Sequence, residues 1–557
     1  ESLACSSSKC TQEECCDFKP VYTEVTGSGS VPCDRSSSEF LGEVSSYEAC
    51  TAECDKRGKA CWGIFGTVDA FDTSRRGHCW VCPPGTDRGN HSDKYTYWIR
   101  NGVTVAEKSS WKISEYLTSM HIEHTAASDD NYTSDLIIML AKSMGKSIRY
   151  PGRAAAHWDW ENKTENSSQW MSFQEFLDFC KKTGVEKPTI GVNYLGPYCA
   201  SNSAKCGDAP ASSYYRDESA SIASARRQVQ KAVSEGFCGA MWYIGNEDSG
   251  IESNMERWLN HAEAMKQIDP SITIFFNANH LSADQLERIL RKAGSRQHLI
   301  GGAEFHGKWP FAASCEPDMA ESQTQGSTRC PFPRKGLSEW LAQSDLHSED
   351  LSGNPPWRQR GLHLRQQAIK SGRPDLLLAN NEFGFGWFKD EHFADDFTRF
   401  GISMVGIEFA MELVRGNYDM SSFWDTVGNA RAGREGLVLY DQESNRLAPM
   451  HLGFQMLVHA NGAEYLEVVA HDSAIRGFAA RRPTEVLVFL LNKQLKPATV
   501  KISLLQGLDC QHAQASSVED TPDHWGKFKA KHMDSDCIIT LAELSFTCVE
   551  IPLSPAR

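Results

Sequence analysis

Between residues 103 and 450, short apolar runs rich in β-branched residues alternate with longer amphipathic stretches. The apolar runs predict strands at Met120–His124, Ser147–Tyr150, Thr189–Tyr194, Ala240–Ile244, Thr273–Asn277, Leu299–Phe305, Leu376–Asn380 and Ser403–Phe409. The amphipathic stretches predict helices at Ser172–Thr183, Ala220–Ser234, Glu252–Gln267 and Ala283–Ala293. Eight strands with helices between them favour a (β/α)8 barrel. A doubly wound open sheet is the alternative, but the Gly-rich phosphate turn that usually follows its first strand is missing from this sequence.

After residue 450 the pattern changes to short alternating strands without helices between them. These strands are predicted at Glu464–Val469, Ile475–Ala480, Glu485–Leu491, Ala498–Leu504 and Ile538–Ile551. Several short strands separated by turns indicate an antiparallel β-sandwich. A further strand, Gly102–Lys108, precedes the barrel and is available to pair with this sandwich.

The first 101 residues differ from the rest in their cysteines. The chain has 19 cysteines, and ten of them lie before residue 83. Such density is typical of small modules held by disulfides in an oxidising compartment. The helical stretch Tyr47–Cys54 followed by the strand-like Cys61–Phe65 resembles PAN/apple modules, which bind proteins or carbohydrates; a spacer without a ligand is the alternative. The predicted domains are a Cys-rich segment and linker (1–32), a PAN/apple-like module (33–101), the barrel (102–450, with 102–110 available to the sandwich) and the sandwich (451–557).

Charge and composition narrow the partners and the location. Lys and Arg total 57 and Asp and Glu total 72, so the net charge is −15, and the sequence has no dense basic run that would favour nucleic acid or an anionic membrane. No apolar run approaches the roughly 18 residues of a membrane span. The cysteines, together with Asn-x-Ser/Thr sequons as glycosylation candidates, predict a secreted or secretory-lumen glycoprotein. The sequons begin at Asn90, Asn131, Asn162 and Asn166.

Metal binding is not predicted. Cys79 and Cys82 have the spacing of a zinc knuckle, but no second knuckle accompanies them, and His121 and His124 do not form a His-Glu-x-x-His motif. We expect no metal and no cofactor.

Two glutamates stand at strand ends across the predicted barrel. The stretch Met241–Asp248 begins as an apolar strand and continues directly into Asn246 and Glu247. The stretch Leu376–Gly384 shows the same pattern, with an apolar strand that ends at Glu382. Two such carboxylates can flank a glycosidic bond: one donates a proton to the leaving oxygen, and the other, ionised, attacks or stabilises the sugar cation. The alternative interpretation is that each Glu caps the helix that follows.

These motifs resemble those of clan A glycoside hydrolases, retaining (β/α)8 enzymes with Asn-Glu after strand four and Glu after strand seven. Within that clan the sequence is most similar to the arabinofuranosidase-, heparanase- and agarase-like families. Further matching stretches are Ile113–Leu117, His121–His124, Ile148–Gly152, His157–Trp160 and Pro449–Met456. The resemblance implies that Glu247 is the acid/base and Glu382 the nucleophile, with carboxyl groups about 5–5.5 Å apart. It also implies that Glu123 and Asn246 bind sugar hydroxyls.

Other residues are expected around this site. Trp158, Trp387 and Trp424 are candidates for stacking on sugar rings, and His306 is a candidate hydrogen-bond partner. The pairs Cys199–Cys206 and Cys315–Cys330 are disulfide candidates in the rim loops, whereas Cys510, Cys537 and Cys548 leave one thiol over. The net negative charge disfavours a heavily sulfated or uronate-rich substrate unless Arg149, Arg153 and Lys163 form a basic patch.

The predicted function is hydrolysis of a polysaccharide or glycoconjugate, with a glycan or protein as a further ligand of the N-terminal module. One alternative is a non-catalytic extracellular carbohydrate-binding or matrix protein that keeps the glycosidase scaffold. Another is an inverting hydrolase, whose carboxyl groups would lie about 6.5–9.5 Å apart.

Overall fold

The computed structural model describes most of the chain from residue 102 onward and, before it, the backbone of five short strands. The described ranges are 102–122, 134–152, 160–161, 171–194, 218–278, 281–308, 337–342, 355–385, 398–428, 439–503 and 510–553, without residues 107, 109, 249, 425, 442–443, 471 and 536. Within these ranges, no helix combines the length and apolar character needed to cross a bilayer.

The N-terminal strands form one antiparallel sheet of order β1-β5-β3-β4-β2. They are β1 (Thr23–Val25), β2 (Glu39–Val44), β3 (Gly63–Thr67), β4 (Gly77–Cys82) and β5 (Tyr95–Ile99). β1 therefore joins a sheet whose other strands belong to the predicted module 33–101. The predicted helix Tyr47–Cys54 and the pairing of this region's cysteine side chains lie outside what is described, so the PAN/apple resemblance stays a prediction.

Two short strands, β6 (Val103–Val105) and β7 (Trp111–Lys112), precede a closed barrel of eight parallel strands. The barrel strands are β8 (Tyr116–His121), β9 (Ile148–Tyr150), β10 (Thr189–Val192), β11 (Met241–Ile244), β12 (Thr273–Ala278), β13 (Gly302–Lys308), β14 (Leu377–Gly384) and β15 (Met420–Trp424). Each strand pairs with the next in chain order, and β15 pairs with β8. This closure confirms the predicted barrel and excludes the open sheet.

The prediction of an eighth strand at Ser403–Phe409 is wrong. That segment lies inside the helix Arg399–Arg415, and the eighth strand is Met420–Trp424. The helix is buried along its whole length from Phe400 to Arg415, and residues of both the barrel and the C-terminal sheet pack against it. Because a helix buried on all faces has no polar stripe, its sequence does not distinguish it from a buried strand.

The four predicted helices are present close to their predicted bounds, beginning at Phe173, Glu218, Ile251 and Ala283. The described residues form nine α-helices in all. They are α1 (Asp135–Ser143), α2 (Phe173–Thr183), α3 (Glu218–Ser234), α4 (Ile251–Lys266), α5 (Ala283–Ala293), α6 (Leu337–Ala342), α7 (Trp357–Lys370), α8 (Arg399–Arg415) and α9 (Met450–Val458). The start of α2 is fixed by a capping box, in which the side chains of Ser172 and Glu175 each accept the other's backbone N–H. The first barrel strand ends at His121, earlier than the predicted Met120–His124.

The C-terminal region is mostly sheet, as predicted. After a small sheet of β16 (Val427–Gly428), β17 (Tyr440–Asp441) and β18 (Arg446–Leu447), its strands are β19 (Glu464–Ala470), β20 (Ile475–Arg481), β21 (Glu485–Asn492), β22 (Ala498–Ser503), β23 (Gln514–Glu519), β24 (Lys527–Lys531), β25 (Ile538–Leu541) and β26 (Ser545–Pro552). Their order is β24-β23-β26-β21-β20-β19-β6-β22-β25, so β6 lies in this sheet. The predicted strand Ile538–Ile551 is in fact two strands. β23 and β24 escaped prediction because their Ser and Lys residues leave no apolar run.

Strand β21 separates two apolar cores. Val486, Val488 and Leu490 pack in one cluster with residues of β6, β22 and β25. The alternate residues, Leu487, Phe489 and Leu491, belong to the larger cluster that contains the barrel core. The sheet is therefore buried on both faces, and one face is attached to the barrel.

A disulfide joins Cys510 and Cys537, and Cys548 is buried and unpaired, so this region leaves one thiol over as expected. Cys180 (buried) and Cys238 (exposed) are also unpaired.

Candidate active site

Polar side chains from five of the eight barrel strands meet at the carboxyl end of the barrel. They are Arg149 (β9), Asn246 and Glu247 (directly after β11), Asn277 (β12), Glu304 and His306 (β13), and Glu382 (β14). Below them the interior is closed by an apolar layer that includes Met241, Phe275 and Met420. The arrangement is therefore a polar cup on an apolar floor, at the barrel end where active sites form.

Arg149 lies at the centre of this group and is fully buried. Its Nε donates to Oε1 of Glu304 at 2.7 Å, and its Nη1 donates to Oε1 of Glu382 at 2.7 Å. Its Nη2 donates to Oδ1 of Asn246 at 2.8 Å. The guanidinium also lies over the ring of Tyr243, 4.2 Å from the ring centroid. Arg149 thus contributes a fixed positive charge beside Glu382, and it is not part of a surface basic patch.

Glu247 is held by its backbone in a tight turn. Its φ of 50° is in the left-handed region, which is uncommon for a residue other than glycine. The backbone N–H of Glu247 donates to Oδ1 of Asn277 at 2.5 Å, and this bond holds the turn. Gly245 makes the turn possible, since a Cβ at that position would lie 2.7 Å from the ring of Tyr194. The turn directs the side chain of Glu247, 29% exposed, to the mouth of the cup.

His306 bridges the two glutamates. Its Nδ1 lies 2.7 Å from Oε1 of Glu247 and 3.2 Å from Oε2 of Glu382. Burial opposes the charged imidazolium, but the charge of Glu382 and hydrogen bonds to Glu247 and Glu304 outweigh it and raise the pKa of His306 to about 8. The ring therefore carries a proton between the two carboxylates at neutral pH.

The two carboxyl groups are close together. The facing ligand atoms of Glu247, His306 and Glu382 all lie within 4.8 Å of one another. Such a trio could hold a metal ion, but the 2.7 Å separation of His306 Nδ1 and Glu247 Oε1 is that of a direct hydrogen bond. The guanidinium of Arg149 beside Glu382 would also repel a divalent cation. The group is best described as a hydrogen-bonded acid–base cluster.

The structure brings together four residues singled out from the sequence: Asn246, Glu247, His306 and Glu382. Trp424 is the last residue of β15 and is only 6% exposed, so little of its ring faces solvent. The remaining candidates lie outside the described residues, and their roles stay predictions: Glu123, Trp158, Trp387, the cysteines 199, 206, 315 and 330, and the sequons at Asn90, Asn131, Asn162 and Asn166.

Sequence reasoning missed Glu304 and Asn277 as site residues. Both side chains are buried at the carboxyl ends of apolar strands. One signal was available: Glu304 and His306 are two residues apart and therefore share one face of β13.

Solved structures with a similar fold include several glycoside hydrolases. CelM2, a bifunctional glucanase-xylanase from a metagenome library, has a TM-score of 0.55 and 14% identity and covers 81% of this chain and 99% of its own. An arabinofuranosidase has a TM-score of 0.54 and 13% identity with the same coverage. Cel44A, a GH family 44 endoglucanase from Clostridium thermocellum, has a TM-score of 0.53 and 12% identity, again over 81% and 99%.

No protein-family model and no curated protein sequence matches this chain. At 12–14% identity, the likeness to these hydrolases shows a shared fold.

Proposed function

We propose that this chain is a secreted retaining glycoside hydrolase that acts by double displacement, with Glu247 as acid/base and Glu382 as nucleophile. The observation that carries the proposal is the placement of these two carboxylates at the ends of the fourth and seventh barrel strands, with facing oxygens within 4.8 Å. This short distance agrees better with the carboxyl separation of about 5–5.5 Å in retaining enzymes than with the separation of about 6.5–9.5 Å in inverting enzymes.

The surroundings of Glu382 suit a nucleophile. Its side chain is 5% exposed, and Arg149 Nη1 donates to its Oε1. This contact holds the carboxylate of Glu382 in a fixed orientation, as attack on the anomeric carbon requires. Oε2 points toward His306, so both oxygens are oriented before substrate arrives.

The surroundings of Glu247 suit an acid/base. It is the more exposed of the pair and has no direct hydrogen bond to Arg149 among the described contacts. A more open position lets it reach the leaving oxygen, then water in the second step. Asn246, whose Oδ1 accepts from Arg149, is held next to it and is positioned to bind a sugar hydroxyl.

The proposed substrate class and the proposed location of the protein rest on observations outside the cup. Proteins of similar fold are named for glucan, xylan and arabinofuranoside hydrolysis, which supports a polysaccharide or glycoconjugate substrate. The Cys510–Cys537 disulfide supports an oxidising compartment. Two carboxylates suffice for this chemistry, so no cofactor is proposed. The N-terminal module is proposed to bind glycan or protein.

The experiment is release of reducing sugar from a panel of polysaccharides by the wild type and by Glu382→Ala, Glu382→Gln and Glu247→Gln. We expect the variants at Glu382 to lose at least about 1,000-fold in kcat. ¹H NMR of the first product formed should show the anomeric configuration of the substrate. A matched control is Glu408→Gln, which changes a buried glutamate of α8 outside the cup.

Three outcomes would contradict the proposal. Equal release by the wild type and Glu382→Ala would refute the catalytic pair. No release by the wild type, with retained binding to polysaccharide, would favour the non-catalytic carbohydrate-binding protein. Products of opposite configuration would establish an inverting enzyme.

A further inference from the structure

A third carboxylate, Glu304, lies in the cup beneath the proposed catalytic pair. It belongs to β13, two residues before His306, and its side chain is fully buried. Burial opposes its charge, but Arg149 and His306 outweigh this and lower the pKa of Glu304 below its ordinary value. The chain therefore keeps an ionised carboxylate inside the barrel.

Both hydrogen bonds of Glu304 lead to the catalytic residues. Its Oε1 accepts from Arg149 Nε at 2.7 Å and from Asn277 Nδ2 at 2.8 Å. Arg149 donates onward to the carboxylate of Glu382. Asn277 accepts the backbone N–H of Glu247, which holds the turn that presents this side chain. Each proposed catalytic residue is thus tied to Glu304 through one intermediate side chain.

Stability alone is a poor explanation for Glu304. Its second oxygen, Oε2, is buried and has no hydrogen-bond partner among the described residues. A buried carboxylate that is half satisfied costs free energy, and a buried ion pair often contributes less to stability than an apolar pair of the same size. A residue that is costly for the fold but joins both catalytic groups is best explained by the reaction.

We propose that Glu304 is a positioning residue for the hydrolysis, which orients Arg149 and Asn277 so that Glu382 and Glu247 are held in their reactive geometry. This inference rests on the proposed function. Glu304 does not touch the reacting atoms, since Arg149 and Asn277 lie between it and the pair.

Glu304 also provides a counter-ion for His306. The Nε2 of His306 lies 3.3 Å from the donors Arg149 Nη2 and Asn277 Nδ2, and 3.6 Å from Glu304 Oε1. Its neutral ring accepts from the two donors, whereas its protonated ring has Glu304 as the acceptor on that side.

The charged and titratable groups beside His306 are Glu304 on its own strand, Glu382 on β14, Arg149 on β9 and Glu247 after β11. His121 on β8 contacts Arg149, with its Nε2 3.1 Å from Arg149 Nη1. Removal of the negative charge of Glu304 from this set favours loss of a proton by His306. The basic limb of the pH profile of the enzyme should then move to lower pH.

The test compares wild type, Glu304→Gln and Glu304→Ala in steady-state kinetics across pH 4–10, on a polysaccharide that the wild type cleaves. Glu304→Gln keeps an acceptor oxygen but removes the charge, so we expect the basic limb to move to lower pH with a modest loss of kcat. Glu304→Ala removes both, and we expect kcat to fall about 100-fold with little change of KM, because the catalytic carboxylates are no longer held in place. Glu408→Gln is the matched control: it neutralises another fully buried glutamate, which pairs with Lys493 outside the cup.

A merely structural role predicts a different result. The melting temperature would then fall in the variants at Glu304 and in Glu408→Gln alike, while kcat and the pH profile of the folded enzyme stay at wild-type values. That pattern would overturn the proposal.

A second readout separates this inference from the proposed function. If the wild type cleaves no polysaccharide, the proposed hydrolysis fails, and the proposed role of Glu304 in the reaction fails with it. The underlying charge coupling is still decided by NMR titration of His306, assigned with His306→Gln. A midpoint that falls in Glu304→Gln but not in Glu408→Gln supports the coupling, and an unchanged midpoint overturns it.

Discussion

Inside the barrel, Nη1 of Arg149 donates to Oε1 of Glu382 across 2.7 Å, and the two side chains are 0% and 5% exposed. Solvent does not reach this guanidinium, so water cannot take over its hydrogen bonds to the carboxylates. Burial opposes its charge, yet Glu304, Tyr243 and Glu382 together raise the pKa of Arg149 above its ordinary value. Arg149 is thus the permanent cation of the cup, and its charge helps to lower the pKa of Glu304 below its ordinary value.

Removal of this cation should destabilise the protein. In Arg149→Met, Glu304 and Glu382 lose the buried guanidinium that donates to both of them, which should lower the free energy of unfolding by about 3–5 kcal/mol at pH 7. The loss should shrink toward pH 4, because Glu304, whose pKa Arg149 no longer lowers in the variant, then takes up a proton. Urea denaturation at both pH values measures this. A loss below about 1 kcal/mol at pH 7 would contradict the argument.

Arg149→Lys is the control for charge without geometry. A lysine keeps the positive charge but has one nitrogen in place of the three from which Arg149 donates to Glu304, Glu382 and Asn246. We expect most of the stability to return while sugar release stays at least about 10-fold below the wild type.

His306 should make stability depend on pH. Its folded-state pKa of about 8 lies above the ordinary value of about 6.5, so its protonation stabilises the folded state. This contribution is complete below pH 6.5 and is lost as the pH rises through 8. Its size is on the order of 1–2 kcal/mol. Urea denaturation of wild type and His306→Gln at pH 6, 7, 8 and 9 measures it.

Between pH 6 and pH 9 the wild type should lose more stability than His306→Gln. Parallel curves for the two proteins would show that His306 has the same proton affinity folded and unfolded. His298 is a suitable control, because it is on the surface and its Nδ1 lies near the Ser295 carbonyl rather than a carboxylate. His298→Gln should follow the wild-type curve.

How far the fold could be predicted depends on where each element is buried. Strands β9 to β14 are short, apolar and separated by amphipathic helices, so alternation located them. The eighth strand was missed because α8, Arg399–Arg415, is buried on all sides and therefore has no polar stripe, whereas Met420–Trp424 contains two serines. Ser421 and Ser422 are buried in hydrogen bonds inside the barrel, to the Thr118 backbone N–H and the Ser119 hydroxyl. A polar residue whose hydrogen bonds are made inside a barrel cannot be distinguished from a loop residue by sequence alone.

The same limit applies to the cup. Glu247 and Glu382 could be predicted, because each follows an apolar strand and matches a known motif. The sequence suggests Arg149 only as a member of a basic patch, whereas it is buried among five polar partners from three strands and one strand end. These partners are 28 to 233 residues from it in the chain, so only closure of the barrel brings them together.

The Cys510–Cys537 disulfide should contribute to stability through the loop it closes. The two cysteines are 27 residues apart, for which chain entropy gives about 3–4 kcal/mol. Cys510→Ala/Cys537→Ala should lower the free energy of unfolding by about 2–4 kcal/mol, measured by urea denaturation without reductant. Cys238→Ser, at an exposed unpaired thiol, is the control and should leave the value unchanged. Equal stability of the double variant and the wild type would contradict this prediction.

The pair of Glu408 and Lys493 attaches the C-terminal sheet to the barrel. Both side chains are fully buried, Lys493 Nζ is 3.0 Å from Glu408 Oε1, and Trp340 Nε1 donates to Oε2 at 2.5 Å. Burial lowers the pKa of Lys493, although Glu408 acts in the opposite direction. Because either single change removes one member of this buried ion pair, Glu408→Gln and Lys493→Met should each cost about 3–5 kcal/mol.

The double variant Glu408→Leu/Lys493→Met should cost far less than the sum of the single changes, because no buried charge remains. A double-mutant cycle by urea denaturation measures the difference. The exposed pair of Lys146 and Glu115, at a similar distance of 2.8 Å, is the control: its cycle should show little coupling, since solvent screens both charges. Additive losses at Glu408 and Lys493 would instead show that the two charges do not depend on each other.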